Sequence, residues 1–352
     1  MDKYSGDYIQ LLEKLVETPS FSREEDKTAW ILNDFFTSRS IETHRIKNNV
    51  IARNKHFDPN KPTILLNSHH DTVKPGSSWK KDPFTPVVVD GRFYGLGSND
   101  AGASLVCLIA AFVHYYASQN LKYNLILAAT AEEEISGKDG VELVLPELGP
   151  IDFAIVGEPT NLKMAVAEKG LMVLDCIAKG RGGHAARDEG DNAIYKAMRD
   201  IEWFQNYKFD KTSDKLGDVK MSVTVINAGS QHNVVPDECR FVVDIRSTDV
   251  YSNDEILNVI KQNVTSDIVA RSTRLQPSGL KNDHLLFDVA KKLKLETFGS
   301  PTLSDQALMP FPSVKIGPGD SARSHTADEY IHLKEIEDGI QLYLNLLKTI
   351  LV

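Results

Sequence analysis

Short apolar segments recur along the first half of the chain, and each is followed within a few residues by histidine, aspartate or glutamate. Three of these segments, residues 63–66, 125–129 and 153–156, have the length of β-strands, and helical stretches separate them. The polar residues that follow them are His69, His70, Asp71, Glu132, Glu133, Glu134 and Glu158. This alternation predicts an α/β fold with a mostly parallel sheet, whose strand carboxyl ends carry the functional groups.

Several helices can be placed around this sheet. Residues 105–113 are apolar on every side, which indicates a helix buried against the sheet. An amphipathic helix in the first twenty residues should end at Thr18, because the residue before Pro19 avoids helical angles. The spacing of Ser22 and Glu25 predicts a capping box at the start of the second helix.

The pattern changes near Gly170. Strand-like stretches at 171–178, 221–226 and 240–245 enclose helical stretches at 193–204 and 255–264, the latter with a capping box from Ser252 and Glu255. The α/β pattern then resumes with a helix at 283–293, a strand at 313–316 and a closing helix from 333. We therefore expect a discontinuous catalytic domain, residues 1–169 and 277–352, with an inserted α+β domain at 170–276.

Composition excludes several functional classes. The 352 residues are 41% hydrophobic and 25% charged, and no apolar segment reaches the length of a membrane span. A net charge of −9 without a Lys/Arg cluster argues against nucleic-acid binding. The start of the chain lacks a secretory signal, so we expect a cytoplasmic protein. Cys107, Cys176 and Cys239 are widely spaced and predict buried thiols rather than disulfides.

Each polar motif, taken singly, has an ordinary structural explanation. Asp100, after a glycine-rich approach, could be a helix N-cap, and the triplet Glu132 to Glu134 could be a solvated loop. Together with Glu158, His69 and His325, they offer two imidazoles and several carboxylates. That ligand set suits zinc, cobalt or manganese and lacks the thiolates of a structural zinc site.

At the level of whole motifs the sequence resembles the two-metal M20 peptidases, which include acetylornithine deacetylase, succinyl-diaminopimelate desuccinylase and aminoacylase. The resemblance spans nearly the whole chain. Its motifs occur in the family's order: His69-His70-Asp71, the glycine-rich segment around Asp100, Glu133-Glu134, Gly157-Glu158-Pro159-Thr160 and Ser324-His325-Thr326. It implies a metal-dependent hydrolase with an α/β catalytic domain and an inserted lid and dimerisation domain.

The resemblance also implies roles for individual residues. His69 and Glu158 would hold one ion, Glu134 and His325 the other, and Asp100 both, with a cis peptide after Asp100. Asp71 would orient His69, and Glu133 would be the general base. Because Glu132 replaces the more usual aspartate, a shift of one residue would transfer these roles to Glu132 and Glu133. We prefer Glu133 and Glu134, since Ile135-Ser136-Gly137 fits what usually follows the ligand.

Within the inserted domain, the resemblance assigns His184 to oxyanion stabilisation in the site of a partner subunit. Asn233 and Arg246 would hold the substrate, Arg246 through a carboxylate that its planar guanidinium can bind with two hydrogen bonds. A homodimer is therefore expected. Outside the resemblance, His184 would be an ordinary loop residue. No role is assigned to His70, His114, His232, His284, Asp305 or Arg323.

The expected activity is hydrolysis of the N-acyl amide bond of an N-acyl-L-amino acid by two divalent ions, zinc first and cobalt or manganese as alternatives. The length of the chain and the wording of its motifs look most like the acetylornithine deacetylase and acyl-lysine deacylase branch of the family. This resemblance implies N-acetyl-L-ornithine, in arginine biosynthesis, with N-succinylornithine and N-acetylcitrulline open. A dipeptidase or carboxypeptidase and a deacylase of carrier-linked acyl-lysine are the alternatives within the fold. A metal-free binding protein is the alternative outside enzymes, and intact residues at every ligand position argue against it.

Overall fold

The computed structural model describes residues 3–352 and the side chains from Ser5 onward. Its helices follow the apolar periodicity of the sequence closely. They are α1 (Lys3–Glu17), α2 (Asp26–Thr37), α3 (Ala103–Tyr115), α4 (Val141–Leu148), α5 (Ala193–Asn206), α6 (Asn253–Asn263), α7 (Leu285–Leu293) and α8 (Leu333–Leu351). Short helical turns lie at Ser98–Gly102, Glu133–Ile135, Asp305–Leu308 and Ser321–Arg323. None of the helices in this described part of the chain is long and apolar enough to cross a membrane.

The strands include all those expected from the sequence, together with shorter ones. They are β1 (Thr43–Ile46), β2 (Asn49–Arg53), β3 (Thr63–His69), β4 (Val87–Val89), β5 (Arg92–Tyr94), β6 (Asn124–Thr130), β7 (Phe153–Val156), β8 (Met164–Glu168), β9 (Gly170–Lys179), β10 (Gly183–His184), β11 (Lys220–Ala228), β12 (Val234–Val235), β13 (Glu238–Ser247), β14 (Asp267–Ala270), β15 (Ser278–Gly279), β16 (Thr297–Ser300), β17 (Ser313–Lys315) and β18 (Tyr330–His332).

The chain divides into two compact units. The larger contains Met1–Val166, Leu280–Phe298 and Ser304–Val352, and the smaller contains Ala167–Gly279 and Gly299–Leu303. The boundaries predicted from the sequence, with residues 277–352 in the catalytic domain, include Gly299–Leu303 in that domain instead. The segment belongs to the smaller unit because it lies against that unit's backbone: a Cβ on Gly299 would come within 1.9 Å of the Lys215 carbonyl oxygen, and the Lys169 N–H donates to the Ser300 carbonyl (3.1 Å).

A mixed sheet forms the centre of the larger unit. Its strands run in the order β1–β2–β6–β3–β7–β17–β8. The pairs β6–β3, β3–β7 and β7–β17 are parallel, whereas the flanking pairs are antiparallel. The largely parallel centre of an α/β sheet is thus confirmed. It brings the carboxyl ends of β3, β6 and β7 to one edge, where functional residues of such sheets collect.

Both faces of this central sheet are covered, which explains why its strands are apolar throughout. Ile64 and Leu66 point into a core shared with α1, α2, α3, α7 and α8. Leu65 points to the opposite face, where Val141 and Val144 of α4 pack. As predicted, α3 is buried along nearly its whole length. It starts at Ala103, directly after the helical turn Ser98–Gly102 that contains Asp100, so the packing of α3 fixes the position of this turn.

The smaller unit is built on an antiparallel sheet in the order β11–β13–β9–β14. Alternate side chains of β9 and β13 are buried, and α5 and α6 pack on that face. The expected capping box of Ser252 and Glu255 is present at the start of α6. The sheet also buries Cys176 and Cys239, and Cys107 is buried in α3, so all three cysteines are free and buried as predicted.

The capping box predicted for Ser22 and Glu25 is wrong. Helix α2 begins at Asp26, and no side chain caps it. The Ser22 hydroxyl donates instead to Oδ2 of the buried Asp71 (2.7 Å), and Glu25 accepts the N–H groups of Arg23 (2.6 Å) and Glu132 (3.2 Å). A buried carboxylate needs several donors, and this need outweighs the local cap.

Candidate metal centre

His69, the last residue of β3, is fully buried and held in one orientation. Its Nδ1 lies 3.0 Å from the main-chain carbonyl oxygen of Asp71. Because a carbonyl oxygen can only accept, Nδ1 carries the hydrogen, and the lone pair of the neutral ring is on Nε2. Nε2 has no hydrogen-bond partner among the described residues. It faces Asp100 Oδ1 at 3.4 Å, Glu133 Oε2 at 3.8 Å and Glu158 Oε1 at 3.8 Å.

Asp71 holds both His69 and the turn that follows β6. Its Oδ1 accepts the N–H of Glu133 (3.0 Å) and its Oδ2 the N–H of Glu134 (3.2 Å), while Oδ1 lies 3.4 Å from His69 Nδ1. Although burial opposes ionisation of Asp71, the hydrogen bonds from His69 and Ser22 lower the pKa of this carboxyl. The nearest acceptor for His69 is the carbonyl of Asp71, so residue 71 orients the ring mainly through its backbone.

Asp100 lies between the two imidazoles. Its Oδ1 is 3.4 Å from His69 Nε2, and its Oδ2 is 3.4 Å from His325 Nε2. The peptide bond to Ala101 is cis, as the resemblance implies. Burial raises the pKa of Asp100, but the neighbouring imidazoles of His69 and His325 lower it by more, so the net shift is downward.

His325 and Glu134 form the outer side of the cluster. His325 Nε2 lies 2.9 Å from Glu134 Oε2, and this hydrogen bond raises the pKa of His325 to about 9. His325 is about half exposed, unlike His69. Ligand atoms of His69, Asp100 and Glu134 all lie within 4.8 Å of one another, close enough to share an ion.

Glu133 is surrounded by other carboxylates. Burial is the main reason that its pKa is well above the usual value; His69 opposes this shift, whereas the charges of Glu158, Asp305 and Glu134 add to it. A raised pKa is typical of a carboxylate that exchanges protons near neutral pH. Its Oε2 lies 3.8 Å from His69 Nε2, on the same side as Asp100.

The three consecutive glutamates point in different directions. Glu132 has a positive φ of 56°, which turns it away from its neighbours. Its carboxylate accepts the N–H of Asp139 (3.4 Å) and lies 3.9 Å from Arg23 Nε. Only Glu133 and Glu134 point to the imidazoles. This geometry supports the assignment of the base and the ligand to Glu133 and Glu134.

These residues fit a metal site. A lone pair of His69 that faces carboxylate oxygens is repelled by them unless a proton or a cation lies between. Oxygen and nitrogen donors without thiolates suit zinc, cobalt or manganese. His69 and Glu158 can hold one ion, Glu134 and His325 a second, and Asp100 both. The five groups meet at the carboxyl edge of the sheet although residues 69 and 325 lie far apart in the sequence.

Comparison with known proteins agrees with this geometry. Residues 65–349 match the peptidase family M20/M25/M40, and this match includes every residue of the cluster. The chain belongs to this family. Its members in the comparison include metallohydrolases, deacylases and peptidases, so the chain is a metal-dependent hydrolase of the M20 family.

Three relatives in the M20 family align over nearly the whole chain. An uncharacterized metallohydrolase of Methanocaldococcus jannaschii is 28% identical, with 95% of this chain and 96% of the relative covered. The acetylornithine deacetylase of Myxococcus xanthus is 26% identical, with 93% and 88% covered. A succinyl-diaminopimelate desuccinylase of Cereibacter sphaeroides is 25% identical, with 97% and 98% covered.

The M20 fold itself is shared with a dinuclear metal-binding M20 peptidase of Bacillus subtilis. The two structures superpose with a TM-score of 0.76 at 16% identity, over 100% of this chain and 99% of the other. At this identity the likeness establishes the common fold, not a common substrate.

The three residues assigned to substrate binding or oxyanion stabilisation lie in the smaller unit. His184 is exposed on β10, where Nδ1 accepts the N–H of Ala186 (3.1 Å). Asn233 lies beside it, because β10 pairs with β12 and the Ala185 N–H donates to the Asn233 carbonyl (2.9 Å). Arg246 lies on β13 and binds Asp244 through Nε (2.9 Å) and Nη2 (3.1 Å).

Two buried carboxylates beside the cluster have no role in the prediction from sequence. Asp305 accepts a hydrogen bond from the Thr130 hydroxyl (2.7 Å), and burial raises its pKa to about 6. Glu329 accepts N–H groups of the Asp100 turn; burial, and then the charge of Asp100, raise its pKa to about 8. Glu329 could have been singled out because it follows His325 by four residues. No local pattern marks Asp305.

Proposed function

We propose that this protein hydrolyses the N-acyl amide bond of N-acylated amino acids, with N-acetyl-L-ornithine as the preferred substrate. One observation carries the reaction class: His69 Nε2 and His325 Nε2 each lie 3.4 Å from a different oxygen of Asp100. This is the arrangement that a carboxylate shared by two ions requires. The acetylornithine deacetylase and the desuccinylase among the relatives both remove acyl groups, which supports the substrate class.

In the proposed mechanism, two divalent ions when bound lower the pKa of water and neutralise charge that develops on the amide oxygen. Glu133 receives the proton of the attacking water at its carboxylate and delivers it to the leaving nitrogen. Its Oε2 lies 3.8 Å from His69 Nε2, beside the residues that would hold the ions. Asp71 keeps the hydrogen of His69 on Nδ1 and fixes the main chain of Glu133.

We assign substrate binding to the smaller unit. A carboxylate of the substrate would bind Arg246, whose guanidinium now uses Nε and Nη2 for Asp244 and would have to share or exchange these bonds. His184 and Asn233, neighbours on β10 and the loop before β12, would contact the amide oxygen and the substrate. Arg246→Lys is expected to raise KM with a smaller change in kcat. The ammonium group of lysine cannot form the two parallel hydrogen bonds that the planar guanidinium of arginine makes with a carboxylate.

We also propose a homodimer formed through the smaller unit. Strand β11 is an edge strand of its sheet and exposes Val225 and Ile226 to about half of their full extent. On the neighbouring helix α5, Tyr195 and Met198 are exposed even more. An unpaired edge with apolar side chains is a typical association surface. Ile226→Glu should convert the dimer to a monomer in analytical ultracentrifugation, and an unchanged sedimentation coefficient would contradict this interface.

The substrate is tested with metal-replete protein and a matched panel of amides. The panel contains N-acetyl-L-ornithine, N-succinyl-L-ornithine, N-acetyl-L-citrulline, an acyl-lysine and several dipeptides, and kcat/KM is measured for each. We expect the highest value for N-acetyl-L-ornithine. A preference for dipeptides would contradict the deacylase and support a dipeptidase, whereas purified protein without zinc, cobalt or manganese would point to a binding protein.

The contribution of His184 in a partner subunit has its own test. His184→Ala and Glu133→Gln proteins are each expected to be nearly inactive. If His184 acts in the partner's site, mixing them should restore part of the activity through hybrid dimers. Absence of recovery, after subunit exchange has been demonstrated, would contradict the role across subunits.

A further inference from the structure

Glu329 connects two turns that carry proposed metal ligands. It is 2% exposed and lies four residues after His325. Its Oε1 accepts the N–H groups of Asn99 (2.8 Å) and Asp100 (2.9 Å), and its Oε2 accepts the N–H of Gly97 (3.0 Å). Three backbone donors around residue 100 therefore converge on one carboxylate that the His325 segment supplies.

A second set of bonds joins the same two turns. The Asn99 side chain donates from Nδ2 to the Asp320 carbonyl (3.1 Å) and accepts the Asp320 N–H at Oδ1 (3.1 Å). On the far side, Glu329 is anchored by its own backbone, because its carbonyl accepts the Gly95 N–H (3.0 Å) and it leads directly into β18. Asp100 and His325 are thus fixed to each other from both sides.

The shape of the Glu329 carboxyl group suits this arrangement. Its two oxygens accept three N–H groups, whereas a side-chain amide of the same shape would turn its NH2 group toward one of these donors. The side chain at this position is therefore matched to the backbone of the Asp100 turn.

We propose that Glu329 is a positioning residue that sets the geometry of Asp100 relative to His325 before metal binds, and so determines metal affinity. The proposal relies on the proposed metal-dependent function and on the ligand set described for the metal centre. It concerns only metal binding and is independent of the substrate. Residues that orient metal ligands typically change metal affinity by about 10- to 100-fold when they are replaced.

The test is Glu329→Gln, in which an amide of the same shape can keep the Asn99 and Asp100 bonds through its oxygen. Its NH2 group then faces the Gly97 N–H, and the negative charge is lost. Zinc affinity of the stripped protein is measured by competition with a chromophoric chelator. We expect an affinity at least about tenfold weaker than that of the wild type; equal affinities would overturn the proposal.

Asp200→Asn is the matched control. Asp200 is also a buried carboxylate that accepts backbone N–H groups, those of Thr265 (3.1 Å) and Ser266 (2.8 Å), but it belongs to the smaller unit. The Asp200→Asn substitution should lower the unfolding midpoint without changing the zinc affinity. An equal loss of zinc affinity in both variants would show a general effect of destabilisation and would overturn the specific role of Glu329.

A measurement without any variant covers the case in which Glu329→Gln does not fold. Hydrogen exchange is followed at the amides of Gly97, Asn99 and Asp100 in metal-free wild type. Protection of all three is expected if the carboxylate holds this turn in advance of the metal. Rapid exchange would overturn the proposal. Since no metal is present, the outcome does not depend on whether the proposed ligand set is correct.

Discussion

The sheet of the smaller unit and the carboxyl edge of the larger unit's sheet hold carboxylates in different ways. On the sheet of the smaller unit, carboxylates pair with cations at the surface, as in Asp175 with Arg271 (2.8 Å) and Asp267 with Lys179 (2.5 Å). In the larger unit, four buried or nearly buried carboxylates lie at the carboxyl edge of the sheet: Asp71, Asp100, Glu133 and Glu134. Among the described residues, none of these four is within ion-pair distance of a lysine or arginine.

This difference shows where the chain has kept an unfavourable arrangement. Removing charges from water costs several kcal/mol per ion unless an opposite charge compensates it. The surface pairs of the smaller unit avoid this cost, and each contributes little to stability. The buried carboxylates of the larger unit have no such partner, so their desolvation energy is uncompensated within the chain. Cations bound from outside the chain would supply the missing positive charge.

Glu133→Gln should have the largest effect on activity. The amide keeps the shape of the side chain but cannot take a proton, so turnover should fall by roughly 10²- to 10⁴-fold with the metal content unchanged. Steady-state kinetics and metal analysis measure the two quantities. Glu132→Gln is the control, because its carboxylate points to Asp139, and it should keep activity near that of the wild type. Equal losses in both variants would contradict the assignment of the base.

Asp71→Asn should weaken metal binding by about 10- to 100-fold. Each carboxylate oxygen of Asp71 accepts one N–H group, from Glu133 or from Glu134. The asparagine amide has only one oxygen, so its NH2 group would face the other N–H group and one hydrogen bond would be lost. Chelator competition gives the affinity. Ser22→Ala removes a single bond to the same carboxylate and should have a smaller effect. A metal affinity equal to that of the wild type in Asp71→Asn would show that Asp71 does not support the ligands.

Asp305→Asn should stabilise the metal-free protein at alkaline pH. The folded pKa of Asp305, about 6, exceeds its unfolded value, so its contribution to stability is present below about pH 4 and lost as pH rises through 6. The variant should therefore gain roughly 1 to 3 kcal/mol over wild type at pH 8 and about half of that at pH 5. Urea unfolding at both pH values measures the difference. A gain independent of pH would show that repacking, not charge, is responsible.

Asp175→Asn should have the smallest effect. Its partner Arg271 is exposed on the sheet of the smaller unit, so loss of the pair should shift the unfolding midpoint by little more than the measurement error. Raising the salt concentration should reduce even this shift. A large loss of stability would remove the contrast between the two units.

The sequence was sufficient for the regular elements and for the ligand-bearing motifs. Strand β7 has the predicted bounds, and α3 and α5 each extend the predicted helix by only two residues at one or both ends. These elements obey local rules, because buried strands are apolar throughout and helices repeat every 3.6 residues. The motifs around His69, Glu133 and His325 were also visible, since each follows a strand or a turn within a few residues.

The supporting residues could not be predicted, because their partners are distant in sequence. Ser22 has the spacing of a helix cap but donates to Asp71, 49 residues away. Asp305 meets Thr130 across 175 residues, and Glu329 meets Asp100 across 229. Such contacts depend on the order of the strands, which no local pattern encodes.

The position of the smaller unit within the chain determines when the centre can be assembled. His69, Asp100, Glu134 and Glu158 all precede the smaller unit in the chain, whereas His325 and Glu329 follow it. During synthesis the first four ligands leave the ribosome while the last one is still to be made. A nascent chain thus lacks one of the proposed ligands until the smaller unit has been translated, and complete metal loading would require a finished catalytic unit.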